Sequence, residues 1–275
     1  MVLLGAFFVQ WAAALAIPAF GAVGAASTSG WRFFVGAVVL VVLARPKVRR
    51  WTKEQWMGAL ALGIASALMN LSFYQSIARI HLGTAVAIEY CGPFLVAALG
   101  KRSWRHFAFV GLAALGVLAI ARPGSGLTLV GALFACGAGL GWASYTLASH
   151  RVGGVTTGFE GLAVAMAISA TVSLPFTITS FSHVVTSPSL LGRMALMAVL
   201  ATVLGFGAEM QALRRLPPSI VGVLLALDPA VAFVAGLMFL HQHIQTWDFI
   251  GIALVVIAGV AVTRDAPESV ALPAG

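Results

Sequence analysis

The sequence predicts an all-α membrane protein. We expect ten transmembrane helices arranged as an inverted repeat of five plus five, with both termini in the cytoplasm. Three observations predict this fold: scarce charge, recurring long apolar runs and an internal repeat. Hydrophobic residues make up 60% of the chain and charged residues 9%, and the mean hydropathy is +1.01. Because a soluble domain carries roughly 25% charged residues, this chain cannot cover a soluble core.

Apolar runs long enough to cross a bilayer recur along the chain, since roughly 20 helical residues span the hydrocarbon. Their approximate limits are 2–20, 27–44, 55–78, 82–100, 104–121, 128–149, 157–179, 189–213, 218–240 and 246–263. No basic stretch precedes the first run, so we interpret it as a membrane helix and not a cleavable signal. We therefore expect two five-helix domains, 1–125 and 126–265, followed by a disordered cytoplasmic tail at 266–275.

The basic residues predict the orientation of these helices. The net charge is +8, yet the basic residues lie in short connectors and not on a folded face, which argues against a nucleic-acid partner. With an even number of helices, 12 Lys and Arg fall on the side of the termini and 3 on the other side. The positive-inside rule then places both termini in the cytoplasm.

The two halves of the chain resemble each other. Residues 72–94 align with 208–230, which matches Gln75 with Gln211 and Pro93 with Pro229. Five helices per half is an odd number, so the second half enters the membrane from the opposite side. Inverted repeats are typical of alternating-access carriers, whose substrate site lies near the midplane. A duplication that only enlarges a bundle is the structural alternative.

Three acids lie within the apolar runs: Glu89, Asp228 and Glu209. A charge at the bilayer centre costs at least ~2.5 kcal/mol on insertion scales, so such residues are usually functional or paired. At 1.5 Å of rise per residue, Glu89 is expected in the outer half, Asp228 near the middle of the ninth helix and Glu209 in the inner third. This series could carry protons. The alternative is that some of these acids are neutral, hydrogen-bonded structural carboxyls.

Two further charges lie near the ends of helices. Glu160 starts the seventh helix near the inner face, where its side chain can reach the interface. Arg32 lies about one turn below the outer face. It can reach its own interface, or it can be the counter-ion of an outer-half acid or of a substrate carboxylate.

Several polar and aromatic side chains lie within the predicted helices. Some are expected at a depth similar to that of Glu89, and others share a helix face because they are three or four residues apart. We expect them to line a cavity for a small polar organic substrate, whereas interhelical hydrogen bonding and an aromatic belt are the structural alternatives. These residues are Gln10, Asn70, Tyr74, Gln75, Tyr90, Trp142 and Tyr145.

Three local sequence patterns predict helix kinks, close helix packing and a helix cap. Pro93 and Pro229 occupy matched positions in the repeat, so we expect each to kink its helix beside the transport path. GAGLG at 137–141 is typical of close helix packing. Thr52 and Gln55 form the pattern of a capping box at a helix start.

Neither a metal site nor an enzyme active site is expected. The histidines at 241 and 243 are too few to define a metal site, and the six histidines fall in loops or at helix ends. An intramembrane enzyme would need a nucleophile with a base, or metal ligands, at matched depth. We therefore predict no cofactor. A purely structural or sensory membrane protein is a third possibility, but it would not require acids at graded depth.

Several stretches resemble the EamA-type members of the drug/metabolite transporter superfamily, and within it most of all the bacterial inner-membrane exporters of threonine and homoserine. The matching stretches are MNLSFYQSI (69–77), LGTAVAIEYCGPFLVAAL (82–99), GAGLGWASYTLASHR (137–151), AEMQALRRLP (208–217) and LALDPAVAFVAGLMFL (225–240). Arg32 matches the arginine early in the second helix. Asp228 departs from the glutamate that those exporters tend to carry before the proline.

This resemblance implies the ten-helix inverted fold and export of a small metabolite, with proton exchange. The leading interpretation is a proton-coupled exporter of threonine-like amino acids, acting as a monomer or homodimer. The alternatives are export of other small metabolites or of lipophilic cationic drugs, and import, since sequence does not fix the direction of flux. Fold-level kinship is a poor guide to substrate.

Overall fold

Every element in the described part of the chain is helical. The structure is a computed structural model. It describes residues 2–101, 104–120, 126–153, 159–205, 208, 224–242 and 245–264. The helices are α1 (Val2–Ala16), α2 (Phe20–Val23), α3 (Ala25–Ala44), α4 (Lys53–Ile77), α5 (Leu82–Lys101), α6 (Trp104–Ile120), α7 (Leu129–Gly153), α8 (Glu160–Thr179), α9 (Phe181–Thr186), α10 (Pro188–Ala198), α11 (Asp228–Leu240) and α12 (Thr246–Arg264).

Five of the spans described are long and apolar enough to cross a membrane: Val2–Val23, Ala25–Ala44, Lys53–Ile77, Glu160–Thr179 and Pro188–Gly205. Shorter apolar helices accompany them. Large apolar side chains such as Val42, Leu118 and Leu140 are exposed on the outside of the bundle, as a lipid-facing surface requires. The structure thus confirms an all-helical membrane protein, while the count of ten spans stays a prediction.

Helix ends follow the local sequence. The Thr52 side-chain oxygen accepts a hydrogen bond from the backbone N–H of Gln55 at 3.3 Å. The backbone N–H of Thr52 in turn donates to Gln55 Oε1 at 2.9 Å. The predicted capping box at the start of α4 is therefore confirmed. Pro18 breaks the first span: Ile17–Ala19 forms a turn of 3₁₀ helix between α1 and α2. Gly24, with a φ of 81°, then allows the chain to reverse into α3.

The helices pack in pairs through small residues. The closest pairings are α4 with α7, α3 with α8 and α6 with α12, and α5 packs against both α7 and α11. A Cβ atom at Gly139 would lie 2.8 Å from the carbonyl oxygen of Glu89, and one at Gly141 would lie 2.7 Å from the Cα of Met69. The close packing predicted for the GAGLG segment is therefore confirmed.

The ninth predicted helix differs from the expectation. Leu224 and Leu225 are helical, Ala226 and Leu227 form a turn, and α11 begins at Asp228. Asp228 therefore lies at the start of a helix and not near its middle. Pro229 lies in the first helical turn, where a missing amide donor costs nothing, so it begins α11 instead of kinking it.

Other expectations lie outside what the structure describes. Glu209, Gln211 and the tail at 266–275 are not among the described residues. Helix α5 extends through Pro93, and a kink there stays a prediction. The seventh span contains a proline, Pro175, inside α8.

Candidate functional site

Asp228 is the centre of a buried hydrogen-bonded cluster built from three helices. Tyr90 Oη donates to Asp228 Oδ2 at 3.0 Å, and Gln10 Nε2 donates to the same oxygen at 3.3 Å. All three side chains are buried, with 3–8% of their surface exposed. The other carboxylate oxygen, Asp228 Oδ1, has no hydrogen-bond partner in the described part of the chain. We call Asp228, Tyr90, Gln10 and Glu89 the acidic cluster.

Glu89 adds the second buried acid, one residue before Tyr90 on α5. Its side chain is 7% exposed, and it interacts electrostatically with Asp228 and with Arg32. The close approach of α7 at Gly139 fixes this part of α5, because Gly139 packs on the Glu89 carbonyl. The two acids therefore lie within one electrostatic environment inside the bundle.

Tyr90 is also fixed from a second side. The ring of Trp142 on α7 lies 4.3 Å from the Tyr90 ring, centroid to centroid, at an interplanar angle of 87°. This edge-to-face geometry is the favoured one for aromatic pairs. The Tyr90 phenol is thus held between the Trp142 indole and the Asp228 carboxylate.

A basic cluster is built from α3 and α4. Arg32 on α3 is 4% exposed, and its Nη1 donates to Asn70 Oδ1 on α4 at 2.8 Å. Asn70 Nδ2 in turn donates to the Ser66 carbonyl at 3.0 Å. The guanidinium carbon of Arg32 lies 6.0 Å from the centroid of the fully buried Tyr74 ring. We call Arg32, Asn70 and Tyr74 the basic cluster.

Two predicted cavity residues lie elsewhere. Gln75 Oε1 accepts from Arg79 Nη1 at 2.6 Å near the end of α4, in an exposed contact. Tyr145 packs on a separate small cluster formed by Leu62, Ala148 and Ala165. The structure therefore places seven of the predicted residues in the two clusters, leaves these two outside and does not describe Glu209. The seven are Gln10, Arg32, Asn70, Tyr74, Glu89, Tyr90 and Asp228, with Trp142 packed against them.

Sequence reasoning missed two buried hydroxyls. Ser29 and Ser173 are both 0% exposed, and neither hydroxyl has a hydrogen-bond partner in the described part of the chain. Ser29 precedes Arg32 by three residues, so the two share a face of α3. That spacing was the available signal for Ser29. Ser173 was not predictable, because it depends on α8 packing on Gly30.

The two clusters together contain more acidic than basic side chains. The described residues include four buried charged side chains: Arg32, Glu89, Asp228 and Asp248. Asp248 belongs to neither cluster, since it lies in the first turn of α12 and accepts from the backbone N–H of Gln245. Two carboxylates and one guanidinium, when all are ionised, sum to a formal charge of −1. A buried site with this excess favours one added positive charge, either a proton or a cationic group.

Comparisons with known proteins agree with a transport role. A model of the EamA-like transporter family matches residues 129–264. The threonine/homoserine exporter RhtA of Salmonella typhimurium (strain SL1344) is 34% identical over 258 residues, 93% of this chain and 87% of that protein. RhtA of Escherichia coli (strain K12) is 32% identical over the same shares. The uncharacterized transporter YvbV of Bacillus subtilis (strain 168) is 24% identical, covering 83% and 79%.

A solved crystal structure shares the fold. It aligns with a TM-score of 0.61 at 19% identity, over 95% of this chain and 96% of the other. At this identity the likeness concerns the fold alone.

Proposed function

The chain belongs to the EamA-like transporter family and is a multi-pass membrane transporter, not an enzyme. On this premise we propose that it exports small amino acids of the threonine and homoserine kind across the bacterial inner membrane in exchange for protons. The relatives that bear this activity in their names support the substrate class. The proton exchange rests on the site itself.

The observation that carries the proposal is the buried acid pair, Glu89 and Asp228, beside a single buried arginine of the described spans. The formal excess of one negative charge can be neutralised by one proton or by the ammonium group of an amino acid. Because the proton and the ammonium group compete for the same two carboxylates, binding of the proton excludes the ammonium group and binding of the ammonium group excludes the proton. Such competition couples two fluxes in opposite directions, which is the requirement for antiport.

Transport also requires movement, because the acidic and basic clusters are buried. The acidic cluster joins α1, α5 and α11, which the sequence assigns to different halves of the chain. Opening toward either side of the membrane must separate some of these helices. The relatively weak 3.3 Å bond between Gln10 and Asp228 is a suitable place for that separation.

Helix packing supports the proposed inverted repeat. If α1, α3, α4, α5 and α6 correspond to α7, α8, α10, α11 and α12, then pairings should recur as symmetric counterparts. Most do, whereas α3–α4 and α5–α12 have no comparably packed counterpart among the described residues. The pairings α4–α7, α5–α7 and α4–α8 have the counterparts α10–α1, α11–α1 and α10–α3, and all six are present. The pairings α3–α8, α5–α11 and α6–α12 map onto themselves and are present too.

The proposal is tested with purified protein in proteoliposomes under an imposed pH gradient. We expect gradient-driven flux of radiolabelled threonine or homoserine, and its loss in Glu89→Gln and Asp228→Asn. Glu160→Gln is the matched control, because Glu160 is half-buried at the start of α8, away from the clusters. Flux that is undiminished in both acid variants would refute the coupling.

A second candidate cargo is a lipophilic cation. The excess negative charge and the Tyr90–Trp142 aromatic pair both favour a cationic substrate. If threonine and homoserine give no flux, the same proteoliposomes are assayed with a cationic dye. Dye flux that requires Asp228 would then replace the amino-acid interpretation while leaving the carrier assignment intact.

A further inference from the structure

A groove on the lipid-facing surface lies between α6 and α12. Its volume is about 400 Å³, within the range of roughly 300–1,000 Å³ that is usual for small-ligand sites in proteins. The lining residues of α12 fall into two rows at intervals of four residues, so they form one stripe of that helix. None of the lining residues belongs to either charged cluster. They are Phe109, Val256, Ile257, Val260, Ala261 and Arg264.

The groove has the length and polarity of one lipid chain in one leaflet. From Val256 to Arg264 the helix rises ~12 Å, and half of a hydrocarbon core of about 30 Å measures ~15 Å. The groove is apolar except at one end, where Arg264 lies. The Ile257 side chain is 55% exposed, whereas Phe109 and Val256 are half-buried. The groove is therefore open on the side that faces the bilayer.

A second arginine lies at the height of Arg264. Gly251, near the start of α12, packs on Gly116, near the end of α6, and a Cβ atom on either glycine would lie 2.5 Å from the carbonyl oxygen of the other. Phe109, earlier in α6, lines the groove with the second half of α12, so the two helices run antiparallel. Arg105 precedes Gly116 by 11 residues, and Arg264 follows Gly251 by 13. At 1.5 Å of rise per residue, the two arginines lie at nearly the same height along the helix pair.

The residues around these arginines indicate the headgroup level of the membrane. Trp104, next to Arg105, is 77% exposed, and tryptophan is enriched at the membrane–water interface. The basic residues predict that this end of the bundle faces the cytoplasm, where anionic lipids give the leaflet a negative surface potential. Arg105 and Arg264 are both exposed, and a guanidinium can bind a phosphate through two parallel hydrogen bonds. The depth, the charge and the apolar groove therefore match a phospholipid with a net negative charge.

We propose that one anionic phospholipid of the cytoplasmic leaflet binds between α6 and α12. Its phosphate binds Arg264, Arg105 adds a second positive charge at the same height, and one acyl chain fills the groove. Because this lipid contacts both helices of the folded protein, its binding stabilises their packing. The site goes beyond the proposed function and does not depend on the cargo that the protein carries.

The experiment measures lipid binding to the purified protein in detergent, by native mass spectrometry and by the apparent Tm. The probes are phosphatidylglycerol and phosphatidylcholine with the same acyl chains, so that the two lipids differ in headgroup charge. We expect one phosphatidylglycerol bound per chain and a rise in apparent Tm of ~3 °C or more, with a smaller rise for phosphatidylcholine. Equal binding and equal stabilisation by the two lipids would overturn the proposal.

Two pairs of variants separate this site from a general attraction of lipid to basic residues. Arg264→Gln should abolish the additional stabilisation by phosphatidylglycerol. Lys47→Gln should retain it, because Lys47 is an exposed base on the same predicted side of the membrane but after α3. Ala261→Trp fills the groove without a change of charge and should also abolish the stabilisation. Ala114→Trp is its matched control, since Ala114 is exposed on α6 and does not line the groove.

The remaining outcomes also decide the question. If Lys47→Gln loses as much stabilisation as Arg264→Gln, or if Ala261→Trp retains it, the lipid does not bind in this groove and the proposal is wrong. A dimer mass that disappears in Ala261→Trp would assign the groove to a second copy of the chain, which also overturns the proposal. If Ala261→Trp does not fold, Arg264→Gln and the comparison of the two lipids are still decisive. The assay contains no cargo, so a failure to transport threonine would refute the proposed function and leave the lipid site standing.

Discussion

The Tyr90 phenol donates a 3.0 Å hydrogen bond to the Asp228 carboxylate, 138 residues away in sequence. Through this bond α5 is joined directly to α11. Trp142 packs edge-to-face on the same Tyr90 ring, so α7 is joined to the pair as well. A change at Asp228, such as a gained proton or a bound ammonium group, therefore acts on three helices at once.

The Tyr90→Phe variant tests the importance of this bond for transport. The substitution keeps the ring and its contact with Trp142 but removes the donor to Asp228. A hydrogen bond to a charged group contributes about 1.5–3 kcal/mol, so we expect the initial rate of threonine flux to fall ~10-fold or more. The rate is measured in proteoliposomes, with size-exclusion chromatography to verify folding. An unchanged rate in folded protein would contradict a role for the bond.

For the same substitution at Tyr145 we predict little change in threonine flux. Tyr145 is part of the Leu62–Ala148–Ala165 cluster and lies outside both charged clusters. Tyr145→Phe removes a hydroxyl that belongs to neither cluster, so we expect it to change threonine flux by less than ~2-fold. The two tyrosine variants are compared side by side at equal reconstitution. A loss at Tyr145 equal to the loss at Tyr90 would mean that the site extends beyond the clusters described.

The helices were largely predictable because a bilayer imposes a simple length rule. The predicted limits 27–44, 82–100 and 246–263 differ from Ala25–Ala44, Leu82–Lys101 and Thr246–Arg264 by at most two residues at each end. The start of α11 was missed for a physical reason. Apolar composition continues across Ala226 and Leu227, so hydropathy could not indicate the turn before Asp228.

The candidate site was predictable in composition but not in pairing. Buried polar residues in apolar runs were visible in the sequence, and the structure groups most of them. The pairing of donors with acids depends on how each helix is rotated about its axis and on how the helices cross. No local pattern in a single sequence indicates these two quantities. Gln75 is an example. Its predicted depth in the membrane is similar to that of Tyr74, yet its side chain accepts a hydrogen bond from Arg79 and does not join either cluster.

Helix packing at Gly139 provides a stability prediction. A Cβ atom there would lie 2.8 Å from the Glu89 carbonyl oxygen, which is backbone and cannot move aside. Gly139→Ala should therefore push α7 from α5 and cost about 1–3 kcal/mol, a fall of about 5 °C in apparent Tm. Melting is followed by fluorescence in detergent.

Gly111→Ala is the matched control for that measurement. Nothing lies within 4 Å of a Cβ atom at Gly111 in α6. Alanine is also the better helix former, by about 1 kcal/mol. The apparent Tm of this variant should be unchanged or slightly higher. If both alanine variants melt alike, the close approach of α5 and α7 is not important for stability.

Orientation is tested by cysteine labelling. Ser182 in α9 and Lys47 after α3 are both exposed, and the predicted helices place five spans between them, so the two should face opposite sides of the membrane. The excess of basic residues near Lys47 predicts that it is cytoplasmic. In a background with Cys91→Ser and Cys136→Ser, Ser182→Cys should react with a membrane-impermeant maleimide in spheroplasts, and Lys47→Cys only after permeabilisation. The reverse pattern would invert the topology, and labelling of both from the same side would disprove the odd number of spans that the inverted repeat requires.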